Sequence, residues 1–237
     1  MDRVPSDVIY GLTLDGKGGM TPLATGSEIP AAQPSWVHLD YGNPEAARWL
    51  LQTPLLNDAA RESLLGQSNR PKLVRMGETV LLILRGINHN KDHRPEEMVA
   101  LRIYITPDFI LSSRRRSLLS EKDVFQQLAL GGGAISTADW LVEICDALTD
   151  RAGEFVEELH DQILELEEIV LMRELPATGR LARIRKQLIM IRRYLSPQRD
   201  LVARLANEKI SWLDEDDRRR LLDIADRLRR WLDDLDA

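Results

Sequence analysis

A single cysteine in 237 residues leaves the chain without an internal disulfide, and Cys145 fits a reducing compartment. No run of about 18 apolar residues occurs, so no segment is expected to span a bilayer. The opening MDRVPSDVIYGL lacks the cationic stretch and apolar stretch of a secretory signal. Paired CxxC motifs, the strong signature of structural zinc, are missing. Gly16-Lys17-Gly18-Gly19 lacks the spacing of a phosphate loop and has no clear helix after it. Nothing brings a nucleophile, a base and an oxyanion donor together, so no catalytic residue and no enzyme is expected. Basic excess is missing as well: the net charge is −6, which argues against a nucleic-acid partner.

What is present is a charge-rich, helix-leaning composition, 43% hydrophobic and 30% charged, with length enough for a substantial core. Residues 1–133 mix strand and helix signals. Asp7–Leu14 alternates and runs into Asp15-Gly16, so a strand entering a turn is expected. Ser35–Tyr41 reads as a strand, and Asn43-Pro44 opens a helix over Glu45–Gln52. A second short helix covers Asp58–Leu65. Lys72–Arg75 and Val80–Leu84 form one hairpin, and Met98–Thr106 with Phe109–Ser113 a second. Ser120 with Asp123 reads as a capping box for a helix ending near Leu130, and Gly131–Gly133 is a break. The fold class expected is an α/β (α+β) N-terminal domain, a mixed sheet flanked by helices.

From Ser136 the pattern is helical to the end. Leu141, Ile144, Leu148, Ala152, Phe155, Leu159, Ile163, Leu166 and Val170 make one stripe between Thr137 and Glu174. After the LPATG break at Leu175–Gly179, Leu181, Ile184, Leu188, Ile191, Leu195, Val202 and Leu205 make another, with Gln198 in its one gap. Pro197 is expected to kink this helix or interrupt it. Eleven Asp/Glu and two Arg lie between Glu143 and Glu174, against eight Lys/Arg and one Asp between Arg180 and Leu205. A five-residue connector makes such helices antiparallel neighbours, and opposite charge supports the pairing weakly. Residues 134–209 are therefore expected to form a long acidic–basic hairpin. Residues 210–237 begin a stalk helix, with Leu221, Ile224, Leu228, Trp231 and Leu235 on its apolar stripe. Its last turn holds Asp233, Asp234 and Asp236, the wrong sign for a C-terminus, and no cap follows. The expectation is a helix that continues past Ala237.

Three segments resemble the CorA-type divalent-cation transporters, in particular the zinc-transporting ZntB branch. They are WVHLDY (Trp36–Tyr41), RPK (Arg70–Lys72) before a hairpin, and Leu181–Leu205, which is similar to that family's helix ahead of the stalk. The order of mixed domain, long hairpin and outgoing helix fits too. The family's Gly-Met-Asn loop and transmembrane helices are absent from these residues. The resemblance implies the cytoplasmic funnel of an inner-membrane transporter, a homopentamer joined to the membrane by helices beyond Ala237. Divalent cations, with Zn2+ as transported or regulatory ion, are the implied partners, and no cofactor is required. A magnesium or cobalt channel of the same superfamily is the rival within the class. A soluble coiled-coil interaction protein is the rival outside it.

Repeated five times around a ring, Asp226, Asp233 and Asp236 on the last helix would concentrate cations. The same residues also suit ordinary i,i+4 pairing with Arg230 and Arg229 on a solvated face. Zinc favours imidazole and thiolate, which brings in His160 with Glu157 or Asp161, Cys145, and the loop pair His89 and His93. Cys145 also suits the role of a small core hydrophobe, and His38 that of a structural histidine. The arginine clusters Arg114–Arg115–Arg116 and Arg218–Arg219–Arg220 are candidate anion sites or ring-interface contacts.

Overall fold

Strand alternation sorts the apolar side chains onto two faces of one sheet. The computed structural model describes residues 3–66, 70–91, 93–172 and 178–235. Its strands are β1 (Val8–Leu14), β2 (Met20–Pro22), β3 (Ser35–Asp40), β4 (Lys72–Met76), β5 (Thr79–Gly86), β6 (Val99–Ile105) and β7 (Phe109–Arg114). They form a seven-stranded sheet in the order β2-β1-β3-β7-β6-β5-β4. All pairs are antiparallel except β3 with β7, where Trp36 faces Ile110 and His38 faces Ser112. The mixed sheet is thus as expected; the three-residue β2, too short for a periodic signal, was not.

Two apolar clusters lie on opposite sides. Val37, Leu39, Leu81 and Leu111 pack with α1 (Pro44–Gln52) and α2 (Asp58–Leu65). Trp36, Leu82, Leu84 and Ile110 belong to the larger cluster, which continues through α3 (Leu119–Leu130) and α4 (Thr137–Leu171). It then extends into α5 (Thr178–Asn207) and α6 (Glu215–Asp234). The predicted stripes supply its helical share: Leu141, Ile144, Leu148, Phe155 and Leu159 from α4; Ile191, Leu195, Val202 and Leu205 from α5; Leu221, Ile224 and Leu228 from α6. At roughly 1.5–3 kcal/mol for each large side chain fully buried, these stripes dominate the docking of helices on the sheet.

Local chemistry sets several boundaries. Asn43 caps α1 by accepting from the Glu45 N–H at 2.9 Å, with Pro44 in the first turn. The capping box expected at Ser120 and Asp123 does not form. Helix α3 begins at Leu119 with no side-chain cap; Ser120 instead donates to the Ala147 carbonyl at 3.1 Å and Asp123 accepts Arg151. Both partners belong to α4, so tertiary contacts outcompete the local bond. Gly131 takes the left-handed conformation that ends α3, with φ +79°. The Gly133 N–H then reaches the Gly18 carbonyl at 2.8 Å, so the break is also a contact with the turn after β1. Part of the predicted LPATG break, residues 175–177, lies outside the described residues.

Helix α5 runs through Pro197 without interruption, with the ring on the exposed side. One turn-face away is Gln198, 2% exposed. Its side-chain oxygen accepts from the Arg85 backbone N–H at 2.6 Å, and its amide donates to the Arg85 carbonyl at 3.1 Å. Pairing of β4 with β5 stops at Lys72 opposite Ile83. Beyond that point Gln198 supplies the two bonds a neighbouring strand would give. This explains the polar gap in an apolar stripe.

Helix α6 lies against both α5 and α4, while α4 and α5 touch less. Close approach to α4 depends on Gly153, where a Cβ would come within 2.7 Å of the Trp231 ring. Replacing Gln198 by Leu strands two buried backbone groups at Arg85, each worth about 1–3 kcal/mol. Urea unfolding of Gln198→Leu is expected to show a loss of about 2–6 kcal/mol; an unchanged midpoint would mean that water replaces the side chain at no cost.

Candidate functional site

Charge on the helices is concentrated along a seam between α4 and α6, with a smaller share between the hairpin helices α4 and α5. The acidic face of α4 meets α6: Arg220 contacts Asp139 at 2.5 Å, and Arg227 bridges Asp146 and, at 2.7 Å, Asp150. Between α4 and α5, Arg180 pairs with Glu165. The acidic helix is thus matched mainly by the outgoing helix. Glu143 sits in this seam, and among the described residues its buried Oε2 has no hydrogen-bond partner. Burial, reinforced by the charge of Asp139, pushes its carboxyl up to about 7.

Arginines at the start of α6, expected as an anion site or ring-interface contact, each have partners within the chain. Asp214 and Asp217 form a reciprocal capping box. From the next turn the Arg218 guanidinium donates to the carbonyls of Ala206, Glu208, Ile210 and Leu213. These include orphan acceptors at the end of α5. Arg219 pairs with Asp216 and Arg220 with Asp139. The linker is further held by Glu78, whose carboxylate accepts from the Ser211 N–H and hydroxyl, and by Trp212 donating to the Glu78 carbonyl at 2.7 Å.

The second arginine cluster is split for a similar reason. Arg114, at the end of β7, turns inward to Glu121 at 2.9 Å and Asp40 at 3.4 Å. Glu121 and His38 are both fully buried, with Nε2 of the ring 2.5 Å from Oε2. Nδ1 of His38 lies 2.6 Å from the Ser112 hydroxyl, which also accepts from Trp36 at 2.8 Å. The ring thus stands between the Ser112 hydroxyl on its Nδ1 side and the Glu121 carboxylate on its Nε2 side. Burial raises the Glu121 pKa, but His38 and Arg114 outweigh it, and the net value is lowered. His38 is structural, as expected; nothing in the local pattern around Glu121 signals its part. Arg115 and Arg116 remain exposed on the rim of a cleft.

The predicted cation ligands are dispersed. On α6, Asp226 and Asp233 are exposed; Asp226 pairs with Arg229 at 3.5 Å rather than with Arg230. Asp236 lies outside the described residues. His160, Glu157 and Asp161 share an exposed face of α4. Cys145 is in the core at 2% exposure, and burial, with Asp146 adding, pushes its thiol up to about 12. It therefore packs as a hydrophobe, and the expectation of zinc ligation there is corrected: a buried thiol that stays protonated is a poor ligand. His89 and His93 lie in an exposed non-helical loop, with His93 3.5 Å from Glu97. Among the described residues no group of three His, Cys, Asp or Glu is placed to hold a metal ion. No described helix is long and apolar enough to cross a membrane.

Because its folded pKa is raised, Glu143 favours stability below about pH 4.5, and that contribution is lost as pH rises through about 7. Glu143→Gln is expected to flatten this fall. Above pH 7 it should exceed the parent by roughly 1 kcal/mol once partial exposure is allowed for. Urea melts on either side of the window measure it, and parallel pH profiles would contradict the assignment.

Comparison with known proteins gives a consistent result. Residues 31–237 match the CorA-like Mg2+ transporter protein family. The chain is 48% identical over 232 residues to the zinc transport protein ZntB of Yersinia enterocolitica serotype O:8 / biotype 1B, covering 98% of this chain and 71% of that protein. Full-length CmaX matches with a TM-score of 0.92 at 33% identity, over 100% of this chain and 74% of that one. The ZntB cytoplasmic domain of Vibrio parahaemolyticus RIMD 2210633 matches in fold, with a TM-score of 0.78 at 21% identity over 97% of this chain and 93% of that one.

Proposed function

Because this chain belongs to the CorA-like Mg2+ transporter family, and within it to the ZntB branch, we propose that it is the cytoplasmic part of a zinc transporter. The observation that carries the reading is the 48% identity to a zinc transport protein along nearly the whole chain. In this reading the chain works as one fifth of a homopentameric funnel at the inner membrane, with α6 leading toward the pore. Residues 1–133 form the head, 134–209 the hairpin and 210–237 the stalk.

The exposed carboxylates of α6 give the funnel its chemistry. Asp226 and Asp233 lie on the solvent side while Leu221, Ile224 and Leu228 hold the other side in the core. Fivefold repetition would raise the local concentration of divalent cations through the summed field, without requiring a closed ligand set. Weak, multiple sites of this kind suit an ion that must leave again. The scattered His residues fit such a role better than a tight tetrahedral centre, since zinc held that way needs four converging ligands. Hard oxygen donors equally suit magnesium or cobalt, and the dispersed histidines favour that second reading.

Flux through the natural protein carrying this chain, reconstituted in vesicles with a zinc-sensitive dye inside, tests the proposal. Zinc entry is expected, and Asp226→Asn/Asp233→Asn is expected to slow it by about two- to tenfold at low ionic strength. Magnesium flux without zinc flux would sink the zinc reading, and an unchanged rate in the double variant would remove the acidic ring.

A further inference from the structure

Arg85, Glu96, Arg115, Arg116, Tyr41 and Tyr194 line a cleft of about 400 Å3 beside α5, within the size range of small-molecule sites. Its charges are unusual because they are left unspent. Arg85 is 6% exposed and no carboxylate stands within ion-pair distance of it among the described residues. Its Nη2 donates to the Met98 carbonyl and its guanidinium lies 4.5 Å from the Tyr194 ring centre, but among the described residues Nε has no hydrogen-bond partner. Glu96 is 1% exposed, and among the described residues neither carboxylate oxygen finds a hydrogen-bond partner. Lys186 approaches it, with Nζ 3.8 Å from Oε1 and a side chain half in solvent. Arg115 and Arg116 stand exposed at the rim.

Two buried, opposite and incompletely satisfied charges in one cleft are costly in a folded chain. Burial already lowers the Arg85 pKa to about 10. The buried Glu121, by contrast, is answered by His38 and Arg114. The cleft also has a sign. Counting Glu97 on its wall, three guanidiniums face two carboxylates, so a divalent cation is disfavoured and a small anion favoured. An anion alone would leave Glu96 unanswered.

We propose that this cleft binds a small amino dicarboxylate, whose carboxylates meet Arg85, Arg115 and Arg116 while its ammonium takes the place beside Glu96 that Lys186 now approaches. Its single net negative charge balances the cleft, and Lys186 is exposed enough to swing away. Because the cleft is walled by β5, β6 and the residues after β7 on one side and by Met190 and Tyr194 of α5 on the other, an occupant ties α5 to the sheet. The site is independent of any metal carried by the transporter.

Calorimetric titration of the 237-residue chain with L-glutamate tests this, with glutarate, which lacks only the amino group, as its control. L-glutamate is expected to bind at millimolar concentration or better, at least about tenfold more tightly than glutarate, the scale of one charged hydrogen bond. Glu96→Gln should abolish the preference between the two. Arg115→Ala/Arg116→Ala, at exposed positions that leave the fold intact by circular dichroism, should weaken both by about tenfold. No heat of binding with L-glutamate, equal affinity for glutarate, or a preference that survives Glu96→Gln would each overturn the proposal.

Discussion

The attachment of α5 to the sheet rests on one amide. Gln198 closes both backbone groups of Arg85 where β4 has stopped, so the helix behaves at that point as a strand neighbour. Apolar contact alone would let α5 slide along the sheet, because hydrophobic burial has no direction. A two-bond contact to one residue fixes both the height and the rotation of the helix. It therefore determines where Tyr194 meets the Arg85 guanidinium, and where the end of α5 delivers Ser211 and Trp212 to Glu78.

Charge acts at a second level. The acidic residues of α4 and the arginines of α6 interleave along a half-exposed seam, where each pair adds only a few tenths of a kcal/mol. Their value is in alignment. Arg220 and Arg227 are seven residues apart, two helical turns, and meet Asp139 and Asp146, also seven apart. The equal spacing admits one register of α6 against α4 and penalises the others, while Gly153 lets the two axes approach until Trp231 touches the backbone.

Class and most elements were legible because they follow from periodicity: the β4–β5 and β6–β7 hairpins, the capped start at Asn43 and the helical stripes stand where alternation or 3-4 spacing put them, although Val170 and Leu181, at the tip of the α4–α5 pair, are exposed. Family membership was legible from WVHLDY and the pattern of Leu181–Leu205. What the chain does not display locally is which partner a polar residue will choose. Ser120 and Asp123 have the spacing of a cap, yet Ala147 and Arg151 win them. Three consecutive arginines read as one patch, yet Arg114 faces inward and its neighbours outward. Net charge matched α4 with α5, but it is a sum over a helix, whereas packing depends on which face carries it. Gln198 was the opposite case: a visible anomaly in a stripe, whose reason lay 113 residues away.

Arg218 spreads one guanidinium over four carbonyls from Ala206 to Leu213. A turn between helices usually absorbs a change of angle by letting a few peptide groups rotate. Here four of the linker's carbonyls are held by a planar donor rooted in α6 itself, and rotation of any of those four breaks a charge-assisted bond. Helices α5 and α6 consequently form a rigid angle piece. A tilt applied at the far end of α6 is therefore expected to pass to α5, whose fixed point on the sheet is the Arg85 contact.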